Sequence, residues 1–417
     1  MKTSSNNPSF VSLLIFVIAS TYVHGADSPI PNLAPTSKRI DAVSAGGSHS
    51  LYLQNGGDVW VSGSNLAGAL GSGTGSARPT PGMVMSDVAA VSAGGLHSLF
   101  LKKDGSVWAV GWVGSGALAD GHMGKTSRIT PVQVMTDVMD ISAGLGHSLF
   151  LKKGGTVWAS GHNGFGQLGD GTTANHSIAI QVMADVEAIS AGGGSSLFLK
   201  KDGTAWASGS NKYGQLGDGS TIDRTIPVQV MSDVVAISSG GSHSLFLKSD
   251  GSVWAAGRNT YGALGDGTTI DRALPVPIMK DVAALSAGGD HSLFLKTDAT
   301  VWGTGMGRFG QLGTGSTEEF TTPMFIMQDA KGIAAGEDFS LFLTNDFTGK
   351  VFGAGNSDSG QIGVKAKDDF LFPVEVSFQK RTPAEIEREK RAWDERIRID
   401  RASLLVPVLT DPPRKRD

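Results

Sequence analysis

A tryptophan recurs along the chain at nearly constant intervals, and this period constrains the fold more strongly than any other feature. The tryptophans are Trp60, Trp108, Trp158, Trp206, Trp254 and Trp302, and Phe352 occupies the seventh place. Successive members are 48, 50, 48, 48, 48 and 50 residues apart. A fixed period of this length is typical of repeat proteins, in which each unit forms one supersecondary element and stacks on its neighbours. The sequence therefore predicts seven copies of one unit between about Ile40 and Val376.

The stretch Ser239–Thr269 shows how one unit is organised. A glycine pair leads into an apolar run, Ser244–Leu247, and a second run, Val253–Ala256, follows after Asp250-Gly251. Two β-prone runs around Asp-Gly predict a hairpin, because a two-residue turn requires positive φ and Asp-Gly adopts it at low cost. Each unit offers four short β segments, which in the fifth unit are Val234–Ile237, Ser244–Lys248 and Ser252–Ala256, with the preceding unit's last strand around Pro227–Val230.

Four antiparallel strands per unit, repeated around an axis, describe the blades of a propeller. Proline begins the last segment of five units, which suits an outer edge strand because proline cannot donate to a β-ladder. These prolines are Pro131, Pro227, Pro275, Pro323 and Pro373. Glycine accounts for 58 of 417 residues, about twice the usual share, and stands at fixed repeat positions, which indicates turns. We predict an all-β fold, a seven-bladed β-propeller of four-stranded antiparallel blades with a short C-terminal helix.

The repeated strings resemble those of a known family. The segment GQLGDGTT at Gly166–Thr173, the AGGxHSLFL lead and the GxVWAxG strand are similar to the repeats of the regulator of chromosome condensation family. The resemblance covers about residues 41–376 and implies a seven-bladed propeller that acts through protein–protein interaction. It also implies nucleotide exchange on a small GTPase as an alternative, since the family's founding member has that activity. Exchange there depends on a protruding wedge, whereas the insertions in this array are two residues each.

The chain is predicted to divide into a signal peptide (1–25), an N-terminal lead (26–39), the propeller (40–378) and a charged C-terminal helix and tail (379–417). Lys2 followed by the apolar run Val11–Ala19 is typical of a secretory signal and too short to span a bilayer. A capping box at Thr382–Glu385 predicts the start of the C-terminal helix. We therefore expect a secreted or periplasmic protein with no membrane span after signal cleavage.

The charge and the missing cysteines exclude several functions. The net charge is −4, and subtracting +1 for Lys2 and +3 for the 11 basic and 8 acidic residues of 379–417 leaves −8 for the rest of the chain. An acidic array argues against nucleic acid as a partner. Without cysteine the chain has no disulfide, thiolate metal site or cysteine nucleophile.

Residues that recur in most units are interpreted as scaffold, so no metal or cofactor is predicted. A histidine precedes the second strand in five units, whereas Ser195 and Phe339 hold the same place in the other two. These histidines are His49, His97, His147, His243 and His291. One histidine per blade cannot converge on zinc, and each is expected to bond a backbone group of its own or the next blade. The Gly-Asp-Gly loops offer one carboxylate each, which favours a turn over a calcium site. The recurrent tryptophans are expected to be buried between stacked blades.

Residues that differ between units are the better candidates for binding. One position after the second run of the hairpin reads Ser64, Trp112, His162, Ser210, Arg258, Met306 and Asn356 in the seven units. A nearby loop position is aromatic in four units. Large aromatics with polar neighbours are typical interface anchors, although they could also simply cover the blade ends. The predicted binding residues are Trp112, His162, Phe165, Tyr213, Arg258, Tyr261, Arg308 and Phe309.

No catalytic set is recognisable, since no GxSxG elbow and no HExxH occur in the sequence. The leading hypothesis is a secreted, monomeric, non-enzymatic propeller that binds an unidentified protein through one loop face. The alternatives are a guanine-nucleotide exchange factor-like regulator of a small GTPase, an inhibitor of an extracellular enzyme (a secreted β-lactamase inhibitor has a similar propeller) and a carbohydrate-binding protein. The ring could be closed by residues Ile30–Ser37 as an added strand, or by Pro373–Val376 alone. Asn175–Ser177 forms an N-glycosylation sequon, which has meaning only in a eukaryotic protein.

Overall fold

The computed structural model describes residues 39–346, 348–365 and 368–378, which form seven four-stranded antiparallel sheets. Blades 1 to 3 comprise β1 Ile40–Ala45, β2 His49–Gln54, β3 Val59–Gly63 and β4 Arg78–Met85; β5 Val88–Ala93, β6 His97–Lys102, β7 Val107–Trp112 and β8 Ser127–Met135; β9 Val138–Ala143, β10 His147–Lys152, β11 Val157–Gly161 and β12 His176–Met183. Blades 4 and 5 comprise β13 Val186–Ala191, β14 Ser195–Lys200, β15 Ala205–Gly209 and β16 Arg224–Met231; β17 Val234–Ser239, β18 His243–Lys248, β19 Val253–Gly257 and β20 Arg272–Met279. Blades 6 and 7 comprise β21 Val282–Ala287, β22 His291–Lys296, β23 Val301–Gly305 and β24 Phe320–Met327; β25 Ala330–Ala335, β26 Phe339–Thr344, β27 Val351–Gly355 and β28 Phe370–Glu375.

Each blade is built in sequence order from the axis outwards. The first strands of neighbouring blades contact one another around the ring, and the fourth strand forms the outer edge. The second strand is buried along almost its whole length because both of its faces are covered by neighbouring blades, and β18 is buried from His243 to Leu247. The outer strand β16 alternates between partly buried and exposed residues. The predicted seven-bladed, all-β propeller is thus confirmed.

The recurrent tryptophans pack against the blades but are only half-buried, contrary to the expectation of full burial. Trp254 pairs in register with Phe246, which is fully buried between blades 4 and 5. The indole Nε1 of Trp254 donates to Ser252 Oγ at 3.2 Å, and the Lys248 ammonium lies 5.3 Å from the centre of the ring. The largest core side chain of a blade is therefore the aromatic of its second strand, and the tryptophan covers the outer part of the interface.

The Asp-Gly hairpins are confirmed, but the turn differs from the predicted one. In blade 5 the turn spans residues 249–252, and only Gly251 has positive φ, at +78°. Gly251 N donates to Lys248 O at 3.0 Å, and Lys248 N donates to Ser252 O at 2.9 Å. This arrangement corresponds to a type I turn closed by a left-handed glycine. Asp250 Oδ1 accepts hydrogen bonds from Ser252, so the aspartate stabilises the turn through its side chain.

Three sets of hydrogen bonds join successive blades near the axis. In the loop after each first strand, the residue that follows the first glycine donates its backbone N–H to the carbonyl of the first glycine of the next blade, as Gly241 does to Gly288 at 2.9 Å. This belt passes through all seven blades and closes between Glu337 N and Gly46 O at 3.2 Å. In six blades the hydroxyl of a serine in the first strand accepts a hydrogen bond from a backbone N–H in the first strand of the next blade. Ser238 Oγ accepts in this way from Ala287 N at 3.0 Å.

The five histidines form the third set. Each histidine bonds a serine hydroxyl of the next blade through Nε2 at 2.8–2.9 Å, so the partner is a side chain and not the expected backbone group. These pairs are His49–Ser98, His97–Ser148, His147–Ser196, His243–Ser292 and His291–Ser340. In blade 4, Ser195 Oγ instead meets Ser239 Oγ at 3.0 Å. The histidines are thus links between blades.

Blade 7 packs directly against blade 1, and its four described strands come from one continuous stretch of chain. This arrangement agrees with completion by the segment around Pro373; residues 30–37 lie outside the described residues. The seam has its own aromatic contacts, because Tyr52 donates to Ile362 O at 3.3 Å and Phe378 meets the Tyr52 ring edge-on at 5.4 Å.

The predicted signal peptide, most of the N-terminal lead and the C-terminal helix also lie outside the described residues. Within the described ranges the structure contains no helix long and apolar enough to cross a bilayer.

Candidate functional site at the loop face

Two sets of loops gather at one end of the propeller because the strands within a blade are antiparallel. These are the loops between the first and second strands and the loops between the third and fourth strands, which in blade 4 are residues 192–194 and 210–223. We call this end the loop face. The Asp-Gly hairpins and the turns between blades lie at the opposite end. All eight predicted binding residues belong to the loop face or to the strand end that leads into it.

A buried asparagine holds the long loop in blades 1, 3, 4 and 5. In blade 4, Asn211 Oδ1 accepts from Leu216 N at 3.0 Å, while its Nδ2 donates to Asp218 Oδ1 at 2.9 Å. Asp218 in turn accepts from Arg224 Nε at 2.7 Å. Burial raises the pKa of Asp218, but hydrogen bonds from Arg224, Ser220 and Asn211 outweigh this effect and hold the pKa below its ordinary value. The Gly-Asp-Gly aspartates therefore stabilise loops, as the turn interpretation predicted.

The centre of the loop face is a cavity of about 1120 Å³. Its wall consists of the seven Ala-Gly or Ser-Gly segments at the ends of the first strands, so most of it is backbone and methyl groups. Most of the longer side chains on the wall come from blades 3 and 4, and blade 7 adds Glu337. Those of blades 3 and 4 are Leu145, Phe165, Lys212, Tyr213, Gln215, Ile222 and Asp223. The cavity therefore has aromatic and aliphatic side chains, one cation and one carboxylate in blades 3 and 4, and a second carboxylate in blade 7.

Four consecutive blades carry an aromatic residue at one loop position, and we call this set the aromatic arc. Its members are Phe165, Tyr213, Tyr261 and Phe309. Blades 7, 1 and 2 have Ser359, Ala67 and Ser115 at that position, so the arc covers only blades 3 to 6. A Cβ placed on Gly194 would lie 3.3 Å from Phe165 Cδ2, which shows that Phe165 extends over the loop of the next blade. Phe165 remains 45% exposed.

Cationic side chains stack on the arc. The Arg258 guanidinium lies 5.5 Å from the Tyr213 ring centre and 5.3 Å from that of Tyr261, and its Nη1 is 3.3 Å from Asp290 Oδ1. Lys212 lies 5.3 Å from the Tyr213 ring, and Arg308 lies 5.6 Å from the Phe309 ring. Such cation–π contacts hold the long side chains in place while leaving their charges at the surface.

The two remaining predicted residues occupy different places. His162 supports the arc, since its ring meets Phe165 edge-on at 5.8 Å and its Nδ1 accepts from Gln167 Nε2 at 2.7 Å. Trp112 is the last residue of β7, where it pairs with Ser127 and covers Gly114. It is half-buried in blade 2, outside the arc and the cavity wall. The structure thus brings the arc residues of blades 3 to 6 together but does not join Trp112 to them.

Three carboxylates lie on the short loops between the first and second strands of blades 6 and 7, next to the arc. Burial raises the pKa of Asp290, and the neighbouring Arg258 offsets only part of the shift. Burial also raises the pKa values of Glu337 and Asp338, and the charge of Asp290 adds to both shifts. Within the described ranges no three His, Asp or Glu side chains are arranged to hold a metal ion. The aromatic arc with its cations in blades 4 to 6 therefore borders carboxylates in blades 6 and 7.

The sequence model of the RCC1-like domain matches residues 20–327, which is more than half of the chain. The chain belongs to the RCC1-like family. A model of the regulator of chromosome condensation (RCC1) repeat matches residues 330–361 in addition. No curated protein sequence matches significantly.

Solved structures show the same fold. The crystal structure of human WBSCR16 is similar with a TM-score of 0.69 at 23% identity, over 77% of this chain and 95% of the other. The structure of Kap60 bound to yeast RCC1 (Prp20) is similar with a TM-score of 0.69 at 17% identity, over 89% of this chain and 99% of the other. The crystal structure of Prp20p from Saccharomyces cerevisiae is similar with a TM-score of 0.63 at 22% identity, over 85% of this chain and 86% of the other. At these identities the likeness establishes the architecture of this RCC1-like chain and not its partner.

Sequence reasoning missed three features of the face. Lys212 was not among the predicted binding residues, although Arg308, its equivalent two blades later, was. Ile222, which lines the cavity and is 65% exposed, lies in a loop that stood out in the sequence only for its glycines. The buried asparagines that organise the loops were also missed, and their recurrence at one repeat position was the signal that could have identified them.

Proposed function

We propose that this RCC1-like propeller is a non-enzymatic protein that binds a protein partner through the loop face of blades 3 to 6. The observation that carries the proposal is the aromatic arc with its stacked cations beside an apolar cavity. Aromatic and arginine side chains dominate the binding energy of protein interfaces. The other blades present small residues at the same place, so packing does not require the aromatics.

Two further considerations support the choice of partner class. Prp20p, a propeller of related structure, has binding properties to Gsp1p and histones, so the same architecture serves protein partners elsewhere. The cavity exceeds the usual range of small-molecule pockets, about 300–1,000 Å³, and a segment of a protein would fill it better.

We also propose that the chain acts outside the cytoplasm. The support is the apolar run Val11–Ala19 after Lys2, which has the length of a signal-peptide core. Sequencing the N-terminus of the protein recovered from the extracellular or periplasmic fraction tests this directly. A mature start near Ala26 is expected, whereas an intact Met1 in the cytoplasmic fraction would contradict the proposal.

Removing one member of the arc should weaken binding while leaving the fold intact. The partner is first captured from the native extracellular medium with the immobilised protein, identified by mass spectrometry and purified. Tyr213→Ala is then expected to raise the Kd about thirtyfold, because truncating an interface hot spot costs about 2 kcal/mol or more. Titration calorimetry measures the Kd, and circular dichroism checks the fold.

Met139→Ala is the matched control. Met139 is 49% exposed and lies near the start of β9, at the end of the propeller away from the loop face. Its Kd should equal that of the unmodified protein. A partner whose affinity responds to Met139→Ala and not to Tyr213→Ala would move the binding surface to the other end. Stimulated nucleotide release from small GTPases at substoichiometric protein would replace the proposal by exchange activity.

A further inference from the structure

The outer edges of the blades differ in how well they are protected against pairing with a strand of another molecule. In six blades the fourth residue of the aligned outer strand is a proline, which cannot offer an N–H to an approaching strand. These prolines are Pro81, Pro131, Pro227, Pro275, Pro323 and Pro373. Blade 3 has Ala179 there. Four outer strands also have an arginine opposite the last glycine of the third strand, whereas β12 has His176. The outer edge of blade 3 thus lacks the proline, whereas His176 contacts Asp170 of its loop as Arg224 contacts Asp218 in blade 4.

The unprotected strand has a sequence suited to pairing with other strands. The segment Ser177–Met183, SIAIQVM, contains no proline, no glycine and no charged residue. Its Ile178 is 66% exposed, while Ala179 packs inwards among the apolar residues of blades 2 and 3. Short, uncharged, β-prone segments on an exposed edge are the usual sites of edge-to-edge aggregation. Some other element is needed to cover this edge in a stable extracytoplasmic protein.

Asn175 stands immediately before β12 and has an unused amide nitrogen. Its Oδ1 accepts from Asn163 N at 2.8 Å, which anchors the long loop of blade 3. Asp223 and Asp271 make the same bond in blades 4 and 5 at 2.7 Å, so the fold requires only the oxygen. The Nδ2 of Asn175 makes no hydrogen bond to any described residue, and the side chain is exposed.

The residues Asn175-His176-Ser177 form the acceptor sequence for N-linked glycosylation, and no other Asn-x-Ser/Thr with x other than proline occurs in the chain. We propose that Asn175 carries an N-linked oligosaccharide that covers the edge of β12. The proposal rests on the extracytoplasmic location proposed above. In the reaction Nδ2 displaces the pyrophosphate from C1 of a lipid-linked oligosaccharide. The N–C1 bond forms, the C1–O bond breaks and the amide loses one proton. The Oδ1 bond to Asn163 is retained.

The modification is tested on the full chain purified from its own cells. Peptide mass spectrometry should find the segment with Asn175 as a glycopeptide, and enzymatic removal of the glycan should convert that residue to aspartate. Unmodified Asn175 overturns the proposal wherever the protein is found. Cell fractionation and N-terminal sequencing, read separately, then show whether the proposed location has failed as well.

Variants expressed through a eukaryotic secretory pathway test the shielding role. Asn175→Asp keeps the loop anchor, as Asp223 shows, but removes the acceptor. It is expected to leave the urea unfolding midpoint unchanged and to raise aggregation severalfold, measured by light scattering at matched concentration. Adding Ala179→Pro should return aggregation to the original level, because it restores the device of the other six blades.

A second double variant separates shielding of this edge from a general solubilising effect of glycans. Asp223→Asn creates the acceptor sequence Asn-Arg-Thr before β16, an edge that Pro227 already protects. Asn175→Asp combined with Asp223→Asn therefore carries one glycan at the equivalent place in blade 4. Its aggregation should match that of Asn175→Asp alone. Recovery of solubility in this variant, or no added aggregation in Asn175→Asp, would refute the shielding of β12.

Discussion

The unfolding free energy is expected to fall by several kcal/mol when the pH is lowered from 7.5 to 5. Five histidines are fully buried between blades, and burial lowers the pKa values of His49 and His243 to about 4. Burial also lowers those of His97, His147 and His291 to about 3. All five are therefore neutral in the folded protein throughout this range.

The sign of the effect follows from the unfolded chain. There the same residues have pKa values near 6.5, so below that pH the unfolded state binds protons that the folded state excludes. Stability is unaffected by these groups above about pH 7, falls from pH 6.5 downwards and stops falling near pH 3–4. At pH 5 each histidine costs about 2 kcal/mol, so five cost up to about 10 kcal/mol. That sum is comparable with the whole stability of a typical domain.

Urea unfolding curves at pH 7.5, 6.5, 5.5 and 5.0 measure this dependence. The double variant His243→Ser/Ala287→Ser is the matched comparison, because it copies the Ser195–Ser239 pair that already links blades 4 and 5. It should reduce the fall between pH 6.5 and 5 by about one fifth. Equal unfolding free energies at pH 7.5 and 5.0 would show that the buried imidazoles do not titrate as described.

The same pair of blades illustrates what a repeat sequence reveals and what it hides. The spacing of six tryptophans and Phe352 was sufficient to predict seven blades, because each period corresponds to one packing unit. In the sequence, serine in place of histidine at residue 195 indicated only that this position has no shared metal role. In the structure Ser239 replaces the alanine of the other blades at the same time, and the two hydroxyls meet across the interface. Compensation between residues 44 apart in sequence becomes visible only when the blades are stacked.

The backbone conformation of the turns was the other feature that the sequence did not predict. Asp-Gly correctly marked the hairpins of blades 2, 4 and 5, but the turn type depends on how the strand ends pair. A different aspartate, at the turn that leads into the next blade, adopts positive φ near 60° in six blades, as at Asp233. That position carries no glycine and gave no signal of a left-handed residue. At the loop face, variation among units identified the aromatic arc, whereas the stacking of cations on it depends on contacts between neighbouring blades.

The loop after the first strand has two positions at which glycine occurs for different reasons. The first glycine is present in all seven units, and a Cβ there would collide with the belt of the next blade. The third residue of the same loop varies freely, from Ser48 to Leu96 to Asp338. In blade 4 these two positions are Gly192 and Gly194. Neither glycine has positive φ. A difference in stability between alanine substitutions at the two positions therefore depends only on the space available for a side chain.

Gly192→Ala is expected to lower the unfolding free energy by about 2–5 kcal/mol, and Gly194→Ala by less than about 1 kcal/mol. The new methyl of Gly192→Ala would lie 2.5 Å from Gly240 O and still closer to Ser239 Oγ. Blades 4 and 5 must move apart, and the bond from Gly193 N to Gly240 O, now 3.0 Å, is lost. A Cβ on Gly194 meets only Phe165 and Ser210 side-chain atoms at 3.3 and 3.4 Å, which can shift. Urea unfolding measures both variants, and amide exchange at Gly193 should rise in Gly192→Ala only. Equal losses in the two variants would mean that the belt does not hold the blades together.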